Sequence, residues 1–205
     1  MAVPPVKIHS VAEAYLLLMV TPCTACGKGP LEAGGHEAVD LDGGAGRKMQ
    51  AACKACGQAQ EFVFDLGYVD TGDAADAAGL PQINGSDEPS LAIDVAQWLM
   101  LFEGIVRAAD QQGDPGESRR LGYEAAQCLE EALKFYPPGD GEWPEESAFF
   151  HDWTLARFRE HRHIFARTRL IELRRKLPTL TQMEQHLLGQ AAIKPGKRRW
   201  WTFRR

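Results

Sequence analysis

Two Cys-x-x-Cys-Gly segments constrain the fold of this chain more than any other feature of its sequence. They read CTACG at positions 23–27 and CKACG at positions 53–57, and they contain four of the five cysteines. A single Cys-x-x-Cys pair is compatible with a redox dithiol, in which one thiolate attacks a disulfide. Two matching pairs instead indicate a tetrahedral zinc site, to which each pair contributes two thiolates. A redox pair and unliganded cysteines are the alternatives.

The predicted metal ligands are the four paired cysteines, Cys23, Cys26, Cys53 and Cys56. Four thiolates leave no coordination position for water or substrate, so we expect one structural zinc ion per chain rather than a catalytic one. The glycine after each pair lets the backbone turn back beneath the metal. His36 lies between the pairs and offers an alternative ligand, whereas its position beside Gly34 and Gly35 favours an exposed histidine in a turn.

The 26 residues between the two cysteine pairs fit a β-hairpin. Residues 37–42 and 47–53 both alternate between apolar and polar side chains, as half-buried strands do. The Gly-rich stretch 43–46 lies between them and tolerates positive φ angles. The sequence therefore predicts two antiparallel strands with a turn at residues 43–46.

A third strand is predicted after the second cysteine pair. Residues 60–66 alternate, with Phe62, Phe64 and Leu66 on one face. Two Cys-x-x-Cys-Gly knuckles, joined by a hairpin and followed by a strand, resemble a zinc ribbon over positions 20–66. The resemblance implies a small antiparallel sheet that depends on the metal for its stability. It says little about function, because zinc ribbons serve in nucleic-acid-binding, enzyme-accessory and adaptor proteins alike.

Composition divides the 205 residues into three parts. The stretch 67–90 is rich in Gly, Asp, Ala and Pro and has no helical or strand period, which predicts an acidic linker and a domain boundary. The predicted parts are a short helix with the zinc ribbon (1–66), the acidic linker (67–90), and a helical domain with a basic aromatic tail (91–205). The predicted fold class is α+β, with a small antiparallel zinc-ribbon sheet followed by an all-α helical bundle, and we expect two separate cores.

The apolar run at 14–20 is too short to span a bilayer, and Glu13 precedes it. We interpret it as a short helix in which Ser10 and Glu13 form a capping box. No secretory signal is visible, and cysteines in metal-type pairs are typical of intracellular proteins, so we expect a cytoplasmic location.

Three helical regions are predicted after the linker. The first has apolar residues at spacings of three and four, namely Leu91, Val95, Trp98, Phe102 and Ile105. The second has an apolar side formed by Leu121, Ala125, Cys128, Leu129, Ala132 and Tyr136. The third extends over residues 146–178 and carries an apolar stripe among many arginines.

The second of these helices resembles the second helix of a tetratricopeptide repeat. Ala125, Leu129, Ala132 and Pro137 follow that family's spacing of small, large, small and terminating proline residues. The resemblance implies an antiparallel helix pair of a type that usually binds proteins. A repeat array is not predicted, because the chain contains no second copy of the motif and a solenoid needs about three repeats.

Charge is divided unevenly along the chain. Residues 1–146 carry a net charge of −15, whereas residues 147–205 carry a net charge of +10 and end in KRRWWTFRR. Such a tail suits phosphate binding with base stacking, a membrane interface, or docking on a protein surface. We expect it to dock, because paired exposed tryptophans promote aggregation. The residues predicted to contact an anionic partner are Arg162, Arg169, Lys197, Arg198, Arg199, Trp200, Trp201, Arg204 and Arg205.

No established catalytic motif is recognisable: the sequence has no phosphate-binding loop, no Gly-x-Ser-x-Gly and no His-Glu-x-x-His. We therefore expect a non-enzymatic protein-interaction protein, an adaptor or accessory protein whose partner is another protein. The alternative is a nucleic-acid-binding protein that uses the basic C-terminal helix and tail. An enzyme with an unrecognised site is the third hypothesis, and neither a membrane partner nor a small-molecule substrate is expected.

Overall fold

The computed structural model of the protein describes residues 4–41, 44–67, 83–183 and 185. Within these residues the chain forms one four-stranded sheet and five α-helices, which confirms the predicted α+β class. In chain order the elements are β1 (Val6–Lys7), α1 (Val11–Val20), β2 (Leu31–Leu41), β3 (Gly44–Cys53), β4 (Ala59–Asp65), α2 (Val95–Asp110), α3 (Pro115–Leu133), a 3-10 turn (Glu146–Ala148), α4 (Asp152–Glu160), a second 3-10 turn (Arg162–Phe165) and α5 (Arg167–Arg175).

The sheet is mixed rather than wholly antiparallel, and its strand order is β1–β4–β3–β2. β2, β3 and β4 are antiparallel neighbours, as predicted for the hairpin and the third strand. β1 pairs in parallel with β4, with Val6 opposite Phe64 and Lys7 opposite Asp65. The prediction of a purely antiparallel sheet is therefore wrong at this edge, because a strand of two residues is too short to produce a recognisable alternation.

The predicted apolar face of the sheet is confirmed. Met49, Ala51, Cys53 and Phe64 are each at most 2 % exposed. They occupy alternate positions of β3 and the matching face of β4, so their side chains lie on one side of the sheet. This side faces the core.

The turn between β2 and β3 is tighter than predicted. Leu41 pairs with Gly44, so two residues separate the strands, and both lie outside the described residues. Gly44 and Gly46 belong to β3 itself. A Cβ at Gly46 would lie 2.8 Å from the Leu41 side chain, and a Cβ at Gly44 would lie 2.9 Å from the carbonyl oxygen of Gly67. These glycines are needed because neighbouring chain segments approach closely, not because of positive φ angles.

α1 connects the sheet with the helical part. Ser10 is its N-cap, and the Ser10 hydroxyl accepts a hydrogen bond from the Glu13 N–H at 3.1 Å, as predicted. The Glu13 carboxylate accepts from the backbone N–H of His9 instead of closing the capping box on Ser10. α1 packs against both β2 and α2, and its buried side chains belong to one set of contacting apolar residues that extends from the sheet to α5.

Part of the predicted linker, residues 68–82, lies outside the described residues. The segment that follows it is packed into the protein, because Ile83 and Asn84 are both buried. The Ile83 N–H donates to the Gln127 side chain at 3.2 Å, and the Ile83 carbonyl accepts from the Ser10 hydroxyl at 2.6 Å. Ile83 therefore ties the start of α1 to α3. The division into separately folding domains stays a prediction.

α2 and α3 are joined by four residues, which makes them antiparallel neighbours. α2 begins at its N-cap Asp94, four residues later than predicted. Before it, the Ser90 hydroxyl accepts from the N–H groups of Ala92 and Ile93 and forms a turn. As a result Leu91, which was predicted to belong to the apolar stripe, is 64 % exposed.

The predicted apolar side of α3 is confirmed. All six of its residues are at most 6 % exposed, and Ala125 and Ala132 are completely buried. Cys128 is also completely buried, and desolvation raises the pKa of its thiol well above the usual value. Cys128 thus packs as a small apolar side chain.

The third predicted helix is broken into separate pieces. His161 leaves the helical conformation, with φ −128° and ψ 43°, and a 3-10 turn follows it. The break brings together the rings of Phe149, Phe158 and Phe165, whose centroids are 4.7 to 5.5 Å apart. A continuous helix would hold residues 149 and 165 about 24 Å apart, so this aromatic cluster requires the break.

In the part of the chain that the structure describes, no helix has both the length and the apolar content needed to cross a bilayer. The predicted cytoplasmic location stays a prediction.

Candidate metal centre

The two cysteine pairs lie in turns of the same geometry. In the first turn the Cys23 N–H donates to the Lys28 carbonyl at 2.7 Å, and the Gly27 N–H donates to the Cys23 carbonyl at 2.8 Å. The second turn repeats both bonds from Cys53, at 2.9 and 2.8 Å. The first turn follows α1, and the second connects β3 with β4. The two thiols of each turn therefore face the two thiols of the other turn.

Each knuckle glycine adopts a left-handed conformation, with φ 67° at Gly27 and 74° at Gly57. A Cβ at either position would meet no atom within 4 Å, so space does not require glycine here. The requirement is conformational, because side chains with a Cβ rarely adopt this φ.

The turns bring the four predicted ligands together. The Sγ atoms of Cys23 and Cys56 are 3.7 Å apart, and those of Cys26 and Cys53 are also 3.7 Å apart. All four sulfurs lie within 4.8 Å of one another, and none is in a disulfide. A tetrahedral site with Zn–S bonds of about 2.3 Å separates its sulfurs by about 3.8 Å. The thiol arrangement therefore fits a four-coordinate zinc ion.

The sheet holds the two knuckles in this arrangement. The Lys54 N–H donates to the Pro30 carbonyl at 3.1 Å, which fastens the second turn to the chain that leaves the first. The Thr24 hydroxyl donates to the Gln60 side chain at 3.0 Å, which fastens the first turn to β4. Because each knuckle bonds to a segment next to the other knuckle, hydrogen bonds within the protein position the four thiols.

The electrostatics of the metal-free cluster explain why a cation is favoured there. Hydrogen bonds from the backbone N–H groups of Ala25 and Cys26 lower the pKa of Cys23 to about 7. The Gln58 N–H lowers the pKa of Cys56, but the neighbouring thiols outweigh this effect and raise it to about 12. The first thiolate thus forms readily, whereas the last one resists ionisation beside the others. A bound divalent cation removes that repulsion.

One side of the cluster faces solvent. Cys23 and Cys53 are 2 % exposed, Cys26 is half-buried and Cys56 is exposed. His36 is not part of the cluster: it lies in β2, and its ring contacts the Tyr15 hydroxyl at 3.2 Å. The alternative in which His36 replaces a cysteine is therefore not supported.

The residues predicted to contact an anionic partner are only partly described. The Arg162 guanidinium lies over the Trp143 ring, 4.8 Å from its centroid, on the exposed surface of a 3-10 turn. Arg169 is exposed on α5. The seven other predicted contacts, at positions 197–201, 204 and 205, lie outside the described residues.

Sequence reasoning missed a group of buried polar side chains between α1 and α3. Glu13 is completely buried, and its carboxylate contacts the His9 ring at 3.3 Å. Glu131 accepts from Lys134 at 2.7 Å and from Asn84 at 3.1 Å. Desolvation raises the pKa of Glu131. In the sequence, Glu13 and Glu131 look like glutamates on the solvated face of a helix, so no sequence signal distinguished these buried carboxylates from exposed ones.

A comparison of the chain with protein-family models, with curated proteins and with solved structures finds no match.

Proposed function

We propose that this protein is a non-enzymatic interaction protein, an adaptor or accessory protein, in which one structural zinc ion stabilises a zinc-ribbon-like sheet. The observation that carries the proposal is the set of four thiols within 4.8 Å of one another. Cys23, Cys26, Cys53 and Cys56 would hold the ion. Four thiolates saturate a tetrahedral zinc ion, so it would stabilise the fold rather than bind a substrate.

The proposed partner is another protein. An antiparallel pair of helices next to a metal-stabilised sheet offers rigid surfaces, and large apolar side chains are exposed at Leu91, Phe150 and Trp153. Exposed apolar groups of this size on a structured surface are typical of protein-interaction sites. The resemblance of α3 to a tetratricopeptide helix supports the same class of partner.

The metal part of the proposal is tested by elemental analysis of freshly purified, reduced protein. We expect about one zinc ion per chain, and loss of that ion in Cys26→Ser and Cys53→Ser variants. Cys128→Ala is the matched control, because Cys128 is buried away from the cluster, and it should retain zinc. Protein that contains no zinc, or retention of zinc in both the Cys26→Ser and Cys53→Ser variants, would contradict the proposal.

The interaction part is tested by affinity capture from the native host, with and without nuclease, followed by mass spectrometry. Specific protein partners that survive nuclease treatment are expected. Partners that vanish with nuclease, together with salt-sensitive binding of the purified protein to single-stranded DNA or RNA, would contradict it and favour the alternative.

That alternative, a nucleic-acid-binding protein, is favoured by one specific observation. Arg162 and Arg169 are exposed, and within the described residues neither makes an ion pair with a carboxylate. Unpaired surface arginines attract phosphates, and the C-terminal tail adds further basic and aromatic residues. Replacement of both arginines by glutamine should then weaken nucleic-acid binding and leave the unfolding temperature unchanged.

A further inference from the structure

An exposed aromatic patch lies where α2 begins and α3 ends. It consists of Phe135, Phe150, His151 and Trp153, which we name the aromatic patch. Phe150 and Trp153 are each 40 % exposed, and the Phe135 and Phe150 rings are 6.0 Å apart. The His151 and Trp153 rings are stacked at 6.0 Å with an interplanar angle of 6°. Phe150 and Trp153 each pack against a neighbouring ring and are also open to solvent, so they form a rigid apolar surface.

The patch is held in place from beneath. The Phe150 N–H donates to the Asp94 carboxylate at 3.0 Å, and the Thr154 hydroxyl donates to the same carboxylate oxygen at 2.6 Å. Asp94 is completely buried at the N-terminus of α2. The backbone that carries Phe150 and Trp153 is therefore fixed to α2, so a ligand would meet a surface that is already ordered.

Among the charged side chains near the aromatic patch, the cations are already paired: Arg157, one turn after Trp153 on α4, contacts Glu103 at 3.6 Å. Asp152 is exposed between His151 and Trp153, and it makes no ion pair within the described part of the chain. The Lys134 ammonium, next to Phe135, is engaged with Glu131 and with the Ser86 carbonyl, both at 2.7 Å. The nearest lysine is thus neutralised, whereas the exposed carboxylates at 87 and 88 follow Ser86 directly. A ligand that combines aromatic and basic groups fits this surface.

The chain contains such a ligand. Residues 186–205 have six Lys and Arg residues and no Asp or Glu, and they include Trp200, Trp201 and Phe203. The described chain is still attached to the protein body shortly before this segment, because Met183 is 1 % exposed.

The segment is long enough to reach the patch. α5 runs antiparallel to α3: the Tyr136 hydroxyl bonds to the Phe165 carbonyl at 2.6 Å, whereas Pro178 lies against Gly122. The chain therefore leaves α5 near the first half of α3, and Gly122 and Leu133 are about 16 Å apart along that helix. Residues 186–196 can extend about 36 Å, which is more than twice this separation of about 16 Å along α3.

We propose that residues 197–205 dock on the aromatic patch of the same chain. Trp200, Trp201 and Phe203 pack against the exposed rings of Phe150 and Trp153, and the basic residues on either side face Asp152 and the neighbouring carboxylates. Docking does not involve the four clustered cysteines. Because Phe150 and Trp153 are also the side chains ascribed above to a protein partner, such a partner would have to displace the tail from them.

The experiment uses the full chain with p-benzoylphenylalanine in place of Trp201, cross-linked by light and mapped by mass spectrometry. Cross-links are expected between position 201 and the peptides that contain residues 135 and 150–153. A mixture of ¹⁴N- and ¹⁵N-labelled chains separates links within one chain from links between two chains. In a Phe150→Ser/Trp153→Ser variant the yield of these links should fall at least fivefold, whereas Leu180→Ser, which alters an exposed leucine outside the patch, should leave it unchanged.

A second measurement tests the proposal even if the Phe150→Ser/Trp153→Ser variant does not fold. Docking should slow tryptic cleavage after Lys197, Arg198 and Arg199. Asp152→Asn changes one exposed atom and should speed this cleavage at least twofold, whereas Asp110→Asn, at the exposed end of α2, should have no effect. Within-chain links to another surface, links mainly between two chains, the absence of links, or equal cleavage in both asparagine variants would overturn the proposal.

Discussion

Replacement of Asp94 should test whether one buried carboxylate joins α2 to the chain that carries the aromatic patch. Its side chain accepts from the Gln97 N–H at 2.9 Å, which caps α2. It also accepts from the Phe150 N–H at 3.0 Å and from the Thr154 hydroxyl at 2.6 Å, and these residues lie more than fifty positions away in sequence. A second aspartate, Asp114, caps α3 through the Gly116 N–H at 2.8 Å, but it is exposed and its side chain makes no other hydrogen bond among those described.

The magnitude follows from these contacts. Loss of an N-cap costs about 1 kcal/mol, and this is the whole effect expected for Asp114→Ala. Asp94→Ala also removes the charged acceptor of the Phe150 N–H, which adds about 2 kcal/mol. The Thr154 hydroxyl loses less, because the His151 carbonyl, 2.8 Å away, accepts its proton instead. We therefore expect a loss of about 3 kcal/mol for Asp94→Ala, three times that of Asp114→Ala.

The assays are urea-induced unfolding, which gives the free-energy differences, and thermal melting, both followed by circular dichroism at neutral pH with zinc present. On the usual scaling for a chain of this size, 3 kcal/mol lowers the unfolding temperature by about 6–12 °C, and 1 kcal/mol by about 2–4 °C. A double-mutant cycle of Asp94→Ala with Thr154→Val should give a coupling energy above about 0.5 kcal/mol. Equal losses in the two alanine variants, together with additive effects in the cycle, would refute the argument that Asp94 joins these two regions.

Three further predictions follow from the core and the metal centre. Removal of zinc with a chelator should lower the unfolding temperature of the helices as well as that of the sheet, because α1 packs against both β2 and α2. If the sheet and the helices have separate cores, the unfolding temperature of the helices should instead stay the same. Ala132→Arg should cost at least about 3 kcal/mol, because it places a charge in a completely buried site, whereas Ala156→Arg on the exposed surface of α4 should cost less than 0.5 kcal/mol in the same melt. The hydrogen bond to Glu13 raises the pKa of His9 above 6.5, the charge of Glu131 acts in the same direction, and Lys134 opposes it. Protonated His9 therefore stabilises the fold below pH 6.5, and this contribution is lost as the pH rises through the folded-state pKa. The unfolding free energy should fall between pH 6 and pH 8 more steeply in the wild type than in His9→Gln, and equal slopes would contradict this.

The cluster of four cysteines was predictable from the sequence because its determinants are local. Two residues between the cysteines and a glycine after each pair define a knuckle, and a hairpin of suitable length brings two knuckles together. The apolar side of α3 was predictable for the same reason, since its spacing is set by the helix period. Neither inference required any knowledge of which elements are neighbours.

Two predictions about the helices were wrong: the start of the first helix after the linker and the continuity of the third helix. Leu91 matched the helical period, but Ser90 captures two backbone N–H groups and delays the helix, so a side-chain hydrogen bond overrides the spacing. The third helix had a continuous apolar stripe, but its rings at 149, 158 and 165 gain more contact as one cluster than along one face. The first outcome depends on a local side-chain hydrogen bond and the second on rings that are far apart in sequence, and a periodic pattern encodes neither.

The four thiols and the aromatic patch are held by different parts of the chain. Hydrogen bonds of the two knuckles arrange the thiols, so a metal ion would bind a site that the chain has already assembled, and its removal should loosen the structure without creating a new activity. The aromatic patch is arranged by Asp94 and α3, away from the cysteines. Binding of a partner or of the tail at the patch should therefore persist in Cys26→Ser, as in the Cys128→Ala control, and respond to Asp94→Ala. A patch whose occupancy changed only with zinc would mean that α1 transmits the state of the sheet to the helices.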